Sequence, residues 1–128
     1  MGGRSGQSLP SVKVIVSHSF TNDAGNKVTQ YKLTGGFGGF ARVEQYKDGF
    51  VITNVIFDER ARGKGLATKL YEAANRESVK VTGKTLQSIK ADKTGKIELS
   101  ADGRGLWESF VRKGLAKPIA RGRYRFIK

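Results

Sequence analysis

The part of the sequence with the clearest chemical potential is a basic, glycine-rich stretch in the middle of the chain, residues 57–70. Gly63 and Gly65 alternate there with Arg62 and Lys64, after an apolar run and before apolar residues at helical spacing. This order predicts a strand, a tight turn and a helix. The first backbone N–H groups of such a helix, together with its dipole, favour a bound anion. The stretch therefore predicts a cradle for a phosphate or diphosphate group.

Two well-known phosphate-binding patterns fit the chain poorly. A Walker P-loop needs a glycine five residues before Gly83-Lys84-Thr85, and that position holds Ser78. The dinucleotide fingerprint G-x-G-x-x-G begins at Gly63, but its third glycine is replaced by Thr68. A glycine-rich turn that binds no ligand has the same local sequence, so the motif needs the support of the surrounding elements.

Composition indicates one domain without thiol chemistry. The chain has 128 residues, 38% of them apolar, and no cysteine, which excludes disulfides and cysteine metal sites. We expect a flexible tail over residues 1–10, a single domain over residues 11–128 and no metal site. No apolar run has the roughly 18 residues of a membrane span, so we expect a cytoplasmic protein that does not enter a membrane.

The charge of the chain predicts an anionic partner. Lys and Arg number 24 against 11 Asp and Glu, a net charge of +13. Such a field attracts polyanions, so nucleic acid or an acidic protein surface is a candidate partner. The basic residues are spread along the chain, and a basic surface without a dedicated partner fits the same composition.

Hydrophobic periodicity predicts four strands before the glycine-rich stretch and alternating elements after it. The expected strands cover residues 11–17, 28–33, 41–46 and 50–57, the last of them buried on both faces and central in its sheet. Turn residues predict hairpin connections at 21–26 and at Asp48-Gly49. Phe37 and Phe40, between the second and third strands, are expected to enter the core. A helix over residues 63–77, a strand over 84–90 and a helix from Asp102 to Gly114 should follow. A short strand at 79–81 is a further possibility. Residues 121–128 should form a final edge strand with inward aromatics and solvated arginines.

The segment Arg62-Gly63-Lys64-Gly65-Leu66-Ala67 resembles motif A of the GNAT superfamily of N-acetyltransferases, (Arg/Gln)-x-x-Gly-x-(Gly/Ala). A second register, starting at Arg60, also satisfies this pattern. The resemblance, together with the order of elements, implies an α/β (α+β) fold. It would contain a mixed, mostly antiparallel, GNAT-like sheet of about six strands with two main helices packed on it. The later helix, with Phe110 and Gly114, resembles a second motif of the family.

The resemblance implies an acetyl-CoA-dependent enzyme that transfers an acetyl group to a primary amine by direct attack. Acetyl-CoA would be its co-substrate. The residues implied to bind it are Val55, Ile56, Phe57, Arg62, Gly63, Lys64, Gly65, Leu66, Ala67 and Thr68. Glu59 is a candidate for the base that deprotonates the amine, and Glu44 and His18 are alternatives. The acceptor amine stays open between proteins and small molecules.

Two departures from the family pattern leave a rival interpretation. The family usually inserts two helices between its first two strands, where this chain has only a turn. The acceptor site would then be open or completed by another chain, as in a dimer. The family's frequent proton-donating tyrosine aligns with Phe110, which has no proton to give. The rival interpretation is a catalytically inactive, basic GNAT-like binding protein acting on nucleic acid or a protein assembly.

Overall fold

The computed structural model describes residues 12–57, 60, 65–90 and 101–128. The fold is mixed α+β, with a four-stranded antiparallel sheet in the order β1-β2-β3-β4, a two-stranded sheet and two helices. This confirms the predicted class and the two helices. The predicted tail at residues 1–10 lies outside the described residues. The elements are β1 (Val14–Thr21), β2 (Lys27–Leu33), β3 (Gly39–Glu44), β4 (Val51–Phe57), α1 (Leu66–Thr82), α2 (Ala101–Arg112), β5 (Ala116–Ala120) and β6 (Arg123–Phe126).

Two tight turns set the register of the four-stranded sheet, and both were predicted. In the β1–β2 turn the Asn22 side chain accepts hydrogen bonds from the N–H groups of Ala24 and Asn26, at 3.1 and 3.0 Å, as asparagine often does in turns. In the β3–β4 turn Gly49 has φ 118, and a Cβ there would lie 2.3 Å from the Thr85 carbonyl oxygen. Glycine is therefore required at position 49 by both conformation and space.

The core lies on one face of the four-stranded sheet, beneath both helices. Helix α1 places Leu66, Leu70 and Ala74 against the sheet, and α2 contributes Trp107 and Phe110. The Trp107 ring lies 5.2–6.1 Å, centroid to centroid, from four other aromatic rings. The cluster also contains Tyr71 of α1 and a set of buried residues from the strands and the segments that flank them: Val12, Tyr31, Leu33, Ala41, Val43, Phe50, Ile52, Leu86, Ala116 and Phe126.

Helix α1 continues five residues beyond its predicted end, so the short strand proposed at 79–81 is wrong. Val79 and Val81 lie on the exposed side of the helix, at 41% and 55% exposure. The helix ends at Gly83, which has φ 75 and donates its N–H to the Val79 carbonyl at 2.8 Å. The β preference of two valines is outweighed because Ser78, beside them, is fully buried against the sheet.

A short segment, residues 86–88, lies between the two sheets, and we call it the junction segment. The Gln87 N–H donates to the Phe50 carbonyl at 2.8 Å, and the Ile52 N–H donates to the Gln87 carbonyl at 3.2 Å. On its other side the segment bonds to β6. There the Ser88 N–H donates to the Tyr124 carbonyl at 2.9 Å. The strand predicted at 84–90 is thus reduced to isolated bridges at Gln87, parallel to Val51 and antiparallel to Arg125.

Strand β4 is not buried along its whole length, contrary to the prediction. Val51 and Ile52 are buried, but Thr53 and Asn54 are exposed and Ile56 is 55% exposed. Both helices contribute to a single core on one face, so the opposite face of β4 is not covered by them. β4 is the last strand of the four-stranded sheet, and the bridge between Val51 and Gln87 joins its start to the junction segment on the other side.

The C-terminal region is a hairpin, β5 and β6, of which sequence analysis predicted only the second strand. Strand β5 contains Pro118, which lowers strand propensity but is tolerated on an edge strand. Phe126 is buried as predicted. Of the three arginines, Arg121 is exposed as predicted, whereas Arg123 and Arg125 are half-buried. Arg123 donates to the Gln87 side chain at 3.1 Å, and Arg125 donates to the Asp48 carbonyl at 2.7 Å. β6 has partners on both sides, so it is not an edge strand.

The two phenylalanines that were expected in the core differ in where they lie. Phe37 is in the loop before β3, and Phe40 is on β3 itself. Phe37 packs against the core, as predicted. Phe40 lies on β3, one position from the fully buried Ala41, so alternation directs it to the opposite face of the sheet. The Arg42 guanidinium lies 5.1 Å from the Phe40 ring centroid.

Replacing Ser78 with alanine should destabilise the protein markedly. The Ser78 Oγ accepts from the Phe50 N–H at 2.8 Å and donates to the Lys84 carbonyl at 2.7 Å, and the residue is fully buried. Ser78→Ala leaves the Phe50 N–H unsatisfied, which should lower the free energy of unfolding by about 1–3 kcal/mol. Urea denaturation measures this change. Ser19→Ala, at an exposed position on β1, is the control and should change the value by less than about 0.5 kcal/mol. Equal stability of the two variants would contradict the assigned role.

Candidate functional site

Three chain segments meet at one end of the four-stranded sheet, where α1 begins. Strand β4 ends at Phe57, which pairs with Gly39 at the start of β3. Arg60, just after β4, donates to the Gly36 carbonyl at 2.9 Å. From the first turn of α1 the Lys69 Nζ donates to the Val12 carbonyl at 3.4 Å. Val12 comes just before β1, whose start pairs with Leu33 at the end of β2. The start of α1 therefore lies at the same end of the sheet as the end of β4 and the loop before β3.

The start of α1 is open among the described residues. Gly65 occupies the N-cap position with φ 71 and ψ 12, and no side chain caps the helix. The first turn contains no acidic residue. A Cβ built on Gly65 would have no atom within 4 Å. The N–H groups of the first turn thus have no acceptor in the described part of the chain, and the helix dipole adds positive potential there.

The described part of the predicted motif divides into exposed and buried residues. Gly65 is exposed in the left-handed conformation, as a tight turn into a helix requires. Leu66 is 2% exposed and belongs to the core, while Ala67 and Thr68 are half-buried. Leu66 can therefore contribute its backbone N–H but not its side chain to a ligand. The remaining predicted residues of the motif, Arg62, Gly63 and Lys64, lie outside the described residues.

Strand β4 carries a bulge where it parts from the junction segment. Its register with β3 moves from the Val43–Ile52 pair to the Arg42–Asn54 pair, so Thr53 is an extra residue. The Thr53 hydroxyl donates to the Arg42 carbonyl at 3.4 Å. A bulge bends a strand and redirects its backbone groups. This bulge was not predicted, because nothing in the run of residues 50–57 marks it.

The pairing of β4 with the junction segment stops at Ile52. Ile89 and Lys90, which follow the junction segment, make no backbone hydrogen bond to β4. Lys90 instead reaches back to the β3–β4 turn. Its Nζ lies 3.2 Å from the Asp48 carboxylate and 4.4 Å from the Tyr46 ring centroid. The two chain segments therefore separate after Ile52.

This separation leaves one edge of β4 without a strand partner among the described residues, from Thr53 to its end. A strand edge with unpaired N–H and C=O groups is able to hydrogen-bond an extended molecule. Val55 packs on the core and Ile56 is 55% exposed, so these two predicted residues face opposite sides. Phe57 ends the strand. The edge runs toward the region where α1 begins.

The structure does not bring the alternative base candidates to this region. Glu44 pairs with Val51 at the opposite end of β4 from Phe57, about 20 Å away at the usual rise of a strand. Its Oε2 accepts from the side-chain amides of Asn22 and Asn26, at 2.8 and 2.9 Å. His18 lies on β1, the far strand of the sheet. Glu59, the first candidate, lies outside the described residues.

The ionisable groups whose pKa values are displaced owe the displacement to burial in the fold and to neighbouring charges. Burial raises the pKa of Tyr31 to about 12, and the charge of Glu77 adds to the effect. Burial also raises the pKa of Tyr71 far above its usual value. Burial acts to raise the pKa of Asp48 as well, but the hydrogen bond and charge of Lys90 outweigh it and lower this pKa. Burial, and after it the charge and hydrogen bond of Glu44, raise the pKa of Tyr46. None of these four side chains is tuned as a base near neutral pH.

Phe110, which aligns with the family's tyrosine, is enclosed by the core. It is fully buried, and its ring centroid lies 5.4 Å from that of Tyr71, 5.5 Å from that of Trp107 and 5.2 Å from that of Phe126. The position is filled by aromatic packing rather than opening to a polar site.

No protein-family model matches the chain, and neither a curated protein nor a solved structure matches it. Neither described helix has the length and apolar character needed to cross a membrane. Within the same residues, no three His, Asp or Glu side chains are grouped as metal ligands.

Introducing a tyrosine at position 110 tests how closed this part of the core is. Phe110→Tyr adds a hydroxyl to a fully buried ring. It should lower the free energy of unfolding by about 1–3 kcal/mol, because the hydroxyl is crowded or left without a partner. Phe20→Tyr, at a ring that is 42% exposed, is the matched control and should have little effect. Urea denaturation distinguishes the two. An equally stable Phe110→Tyr would mean that the ring edge opens to a polar space.

Proposed function

We propose that the protein is an acetyl-CoA-dependent N-acetyltransferase of the GNAT type, which transfers an acetyl group to a primary amine by direct attack. The observation that carries this proposal is the uncapped start of α1 at Gly65, within a sequence that resembles motif A. Its position beside the end of β4 is what the proposed ligand requires. The diphosphate and the extended pantetheine arm of one molecule need an anion site and a strand edge next to each other.

The proposal includes a fold in which the strands form one GNAT-like sheet of about six strands. Its support is the pair of bridges at Gln87, which connect the four-stranded sheet to the β5–β6 hairpin. In this arrangement the junction segment runs parallel to β4 for one bridge and then leaves it. The separation after Ile52 provides the opening that the pantetheine arm would occupy.

Each part of the region receives a role in this proposal. The N–H groups of Leu66, Ala67 and Thr68 hydrogen-bond the diphosphate, and Arg62 and Lys64 supply positive charge beside it. The backbone of residues 55–57 pairs with the pantetheine amides. An N–H group of β4 near the bulge polarises the thioester carbonyl, where negative charge develops during the reaction.

The reaction requires positioning and the loss of two protons from the acceptor ammonium. Glu59 is the candidate that removes the first of them. The amine nitrogen then attacks the carbonyl carbon and gives up its second proton to water, and the C–S bond breaks with its electron pair leaving on sulfur. Holding the two reactants together supplies much of the rate enhancement. Phe110 has no proton to give, so the thiolate takes its proton from water or from another group.

A carboxylate placed at the start of α1 should abolish acetyl-CoA binding. Gly65→Glu puts a negative charge in the space proposed for the diphosphate, and we expect a loss of at least about tenfold in affinity by isothermal titration calorimetry. Gly83→Glu is the matched control, because Gly83 also has positive φ, 75 against 71, and open space around its Cβ. That control carries the same backbone strain at the other end of the helix and should keep full affinity. Unchanged binding in Gly65→Glu, or no binding by the unaltered protein, would rule out the proposed cradle.

The proposed base is tested by comparing two glutamates. Glu59→Gln should lower the rate of amine-dependent thiol release from acetyl-CoA by about 10²–10⁴-fold, the usual contribution of a general base. Its affinity for acetyl-CoA should not change. Glu44→Gln, at the far end of β4, should leave the rate within about twofold, as expected for a residue about 20 Å away. A larger loss of rate in Glu44→Gln than in Glu59→Gln would contradict the assignment of Glu59 as the base.

A further inference from the structure

The face of the four-stranded sheet opposite the helices exposes aromatic and cationic side chains, and we call it the outer face. Strand alternation and the register place His18 and Phe20 of β1, Lys32 of β2, Phe40 and Arg42 of β3, and Ile56 of β4 on it. Phe20 is 42% exposed and Ile56 is 55% exposed. The described helices both pack on the other face. Val28 and Val51 of the same face are buried, and Phe40 and Arg42 are half-buried, so the part of the outer face around Phe20 and Ile56 is the part left open among the described residues.

The rings on this face are held in place rather than loosely exposed. The Arg42 guanidinium lies 5.9 Å from the Phe20 ring centroid and 5.1 Å from that of Phe40. Its Nε donates to the Gln30 Oε1 at 2.9 Å, and the Gln30 amide donates to the Ser17 hydroxyl at 3.1 Å. This chain of hydrogen bonds fixes the guanidinium between two rings on different strands. The result is a preorganised row of flat π surfaces across β1 and β3.

A further ring extends the row along β1. The His18 and Phe20 rings stack with their centroids 6.0 Å apart and their planes at 23°. Rings that are already held in a stacked arrangement can stack on other planar groups without rearranging. Three rings and a guanidinium plane thus lie on one exposed face.

The charges on the outer face favour an anionic partner. Lys32 and Arg42 lie on it, and alternation places Lys13 on the same side just before β1. The carboxylate on this side, Glu44, is engaged by the amides of Asn22 and Asn26. The chain as a whole carries a net charge of +13. A partner that combines negative charge with flat apolar faces fits this surface.

We propose that the outer face binds single-stranded nucleic acid. Unpaired bases stack on Phe20 and Phe40, while phosphates lie near Lys32 and Arg42; aromatic rings on a sheet with nearby cations bind single strands in this way. A duplex hides its base faces, so it can use only the cations. This site is separate from the start of α1, so the proposal stands or falls independently of acetyl-CoA binding.

The stacking contribution is tested with a fluorescently labelled 20-nucleotide oligo(dT) and anisotropy measurements. Each ring removed in Phe20→Ala, Phe40→Ala and their double variant should weaken binding about fivefold or more, the usual effect of losing one stacked base. The matched control is a double variant that carries Val79→Ala and Val81→Ala, both at exposed apolar positions on α1. It should leave Kd within about twofold. Circular dichroism and the Tm confirm that each variant is folded.

The charge contribution is tested by the salt dependence of the same binding. Lys32→Gln should reduce the slope of log Kd against log salt by about 0.7, the value for one phosphate contact on a single strand. Lys80→Gln, at an exposed lysine on α1, should leave the slope unchanged. An equal reduction in both variants would show diffuse attraction and contradict a site on the outer face.

Three other outcomes would overturn the proposal. Binding of heparin or a 20-base-pair duplex as tightly as oligo(dT), with no response to the phenylalanine substitutions, would mean adhesion by charge alone. A dimer in sedimentation experiments that is lost in the Phe20→Ala, Phe40→Ala variant would identify a second copy of the chain as the occupant. The absence of oligo(dT) binding at low salt would leave the face without this function.

Discussion

The structure depends on the hydrogen bonds that the junction segment makes on both of its sides. Residues 86–88 bond to the start of β4 and to β6, and without them the four-stranded sheet and the C-terminal hairpin share no backbone–backbone hydrogen bond among the described residues. The Gln87 side chain adds hydrogen bonds to the β3–β4 turn and to Arg123. These polar groups are buried, so each must find a partner on folding. This requirement fixes how α1 and the strands that flank it lie together.

The shortness of the junction segment also creates the candidate site. Because it follows β4 for only one bridge, the rest of β4 keeps an unpaired edge among the described residues. That edge ends where α1 begins with an uncapped turn at Gly65. A longer parallel pairing would have closed the edge. The proposed acetyl-CoA site thus uses backbone groups that the fold leaves unsatisfied, rather than a cluster of side chains.

One-sided packing explains the second surface of the molecule. Both helices bury the same face of the sheet, so the other face keeps the aromatic and cationic residues that alternation assigns to it. A protein of this size has limited apolar material for a second layer. The proposed single-strand site and the proposed acetyl-CoA site therefore lie on separate parts of one scaffold. Either can be tested without the other.

The sequence by itself determined the elements that depend on local chemistry. The α+β class, the two hairpin turns at residues 22–26 and 48–49, and the glycine turn into α1 follow from periodicity and turn residues. The phosphate site at the motif stays a prediction, and its residues Arg62, Gly63 and Lys64, like Glu59, lie outside the described residues. The predictions of class and turns succeed because each depends on residues that are close in the chain.

Only the tertiary structure decided the features that depend on distant contacts. The extension of α1 to Thr82 requires Ser78 to meet Phe50, and the reversal of Phe40 to the outer face follows from the β2–β3 register. The bulge at Thr53 and the one-bridge pairing at Gln87 have no local signature. Which groups are buried or left unpaired is decided by neighbours far along the chain, because burial and pairing are properties of the packed sheet rather than of a short segment.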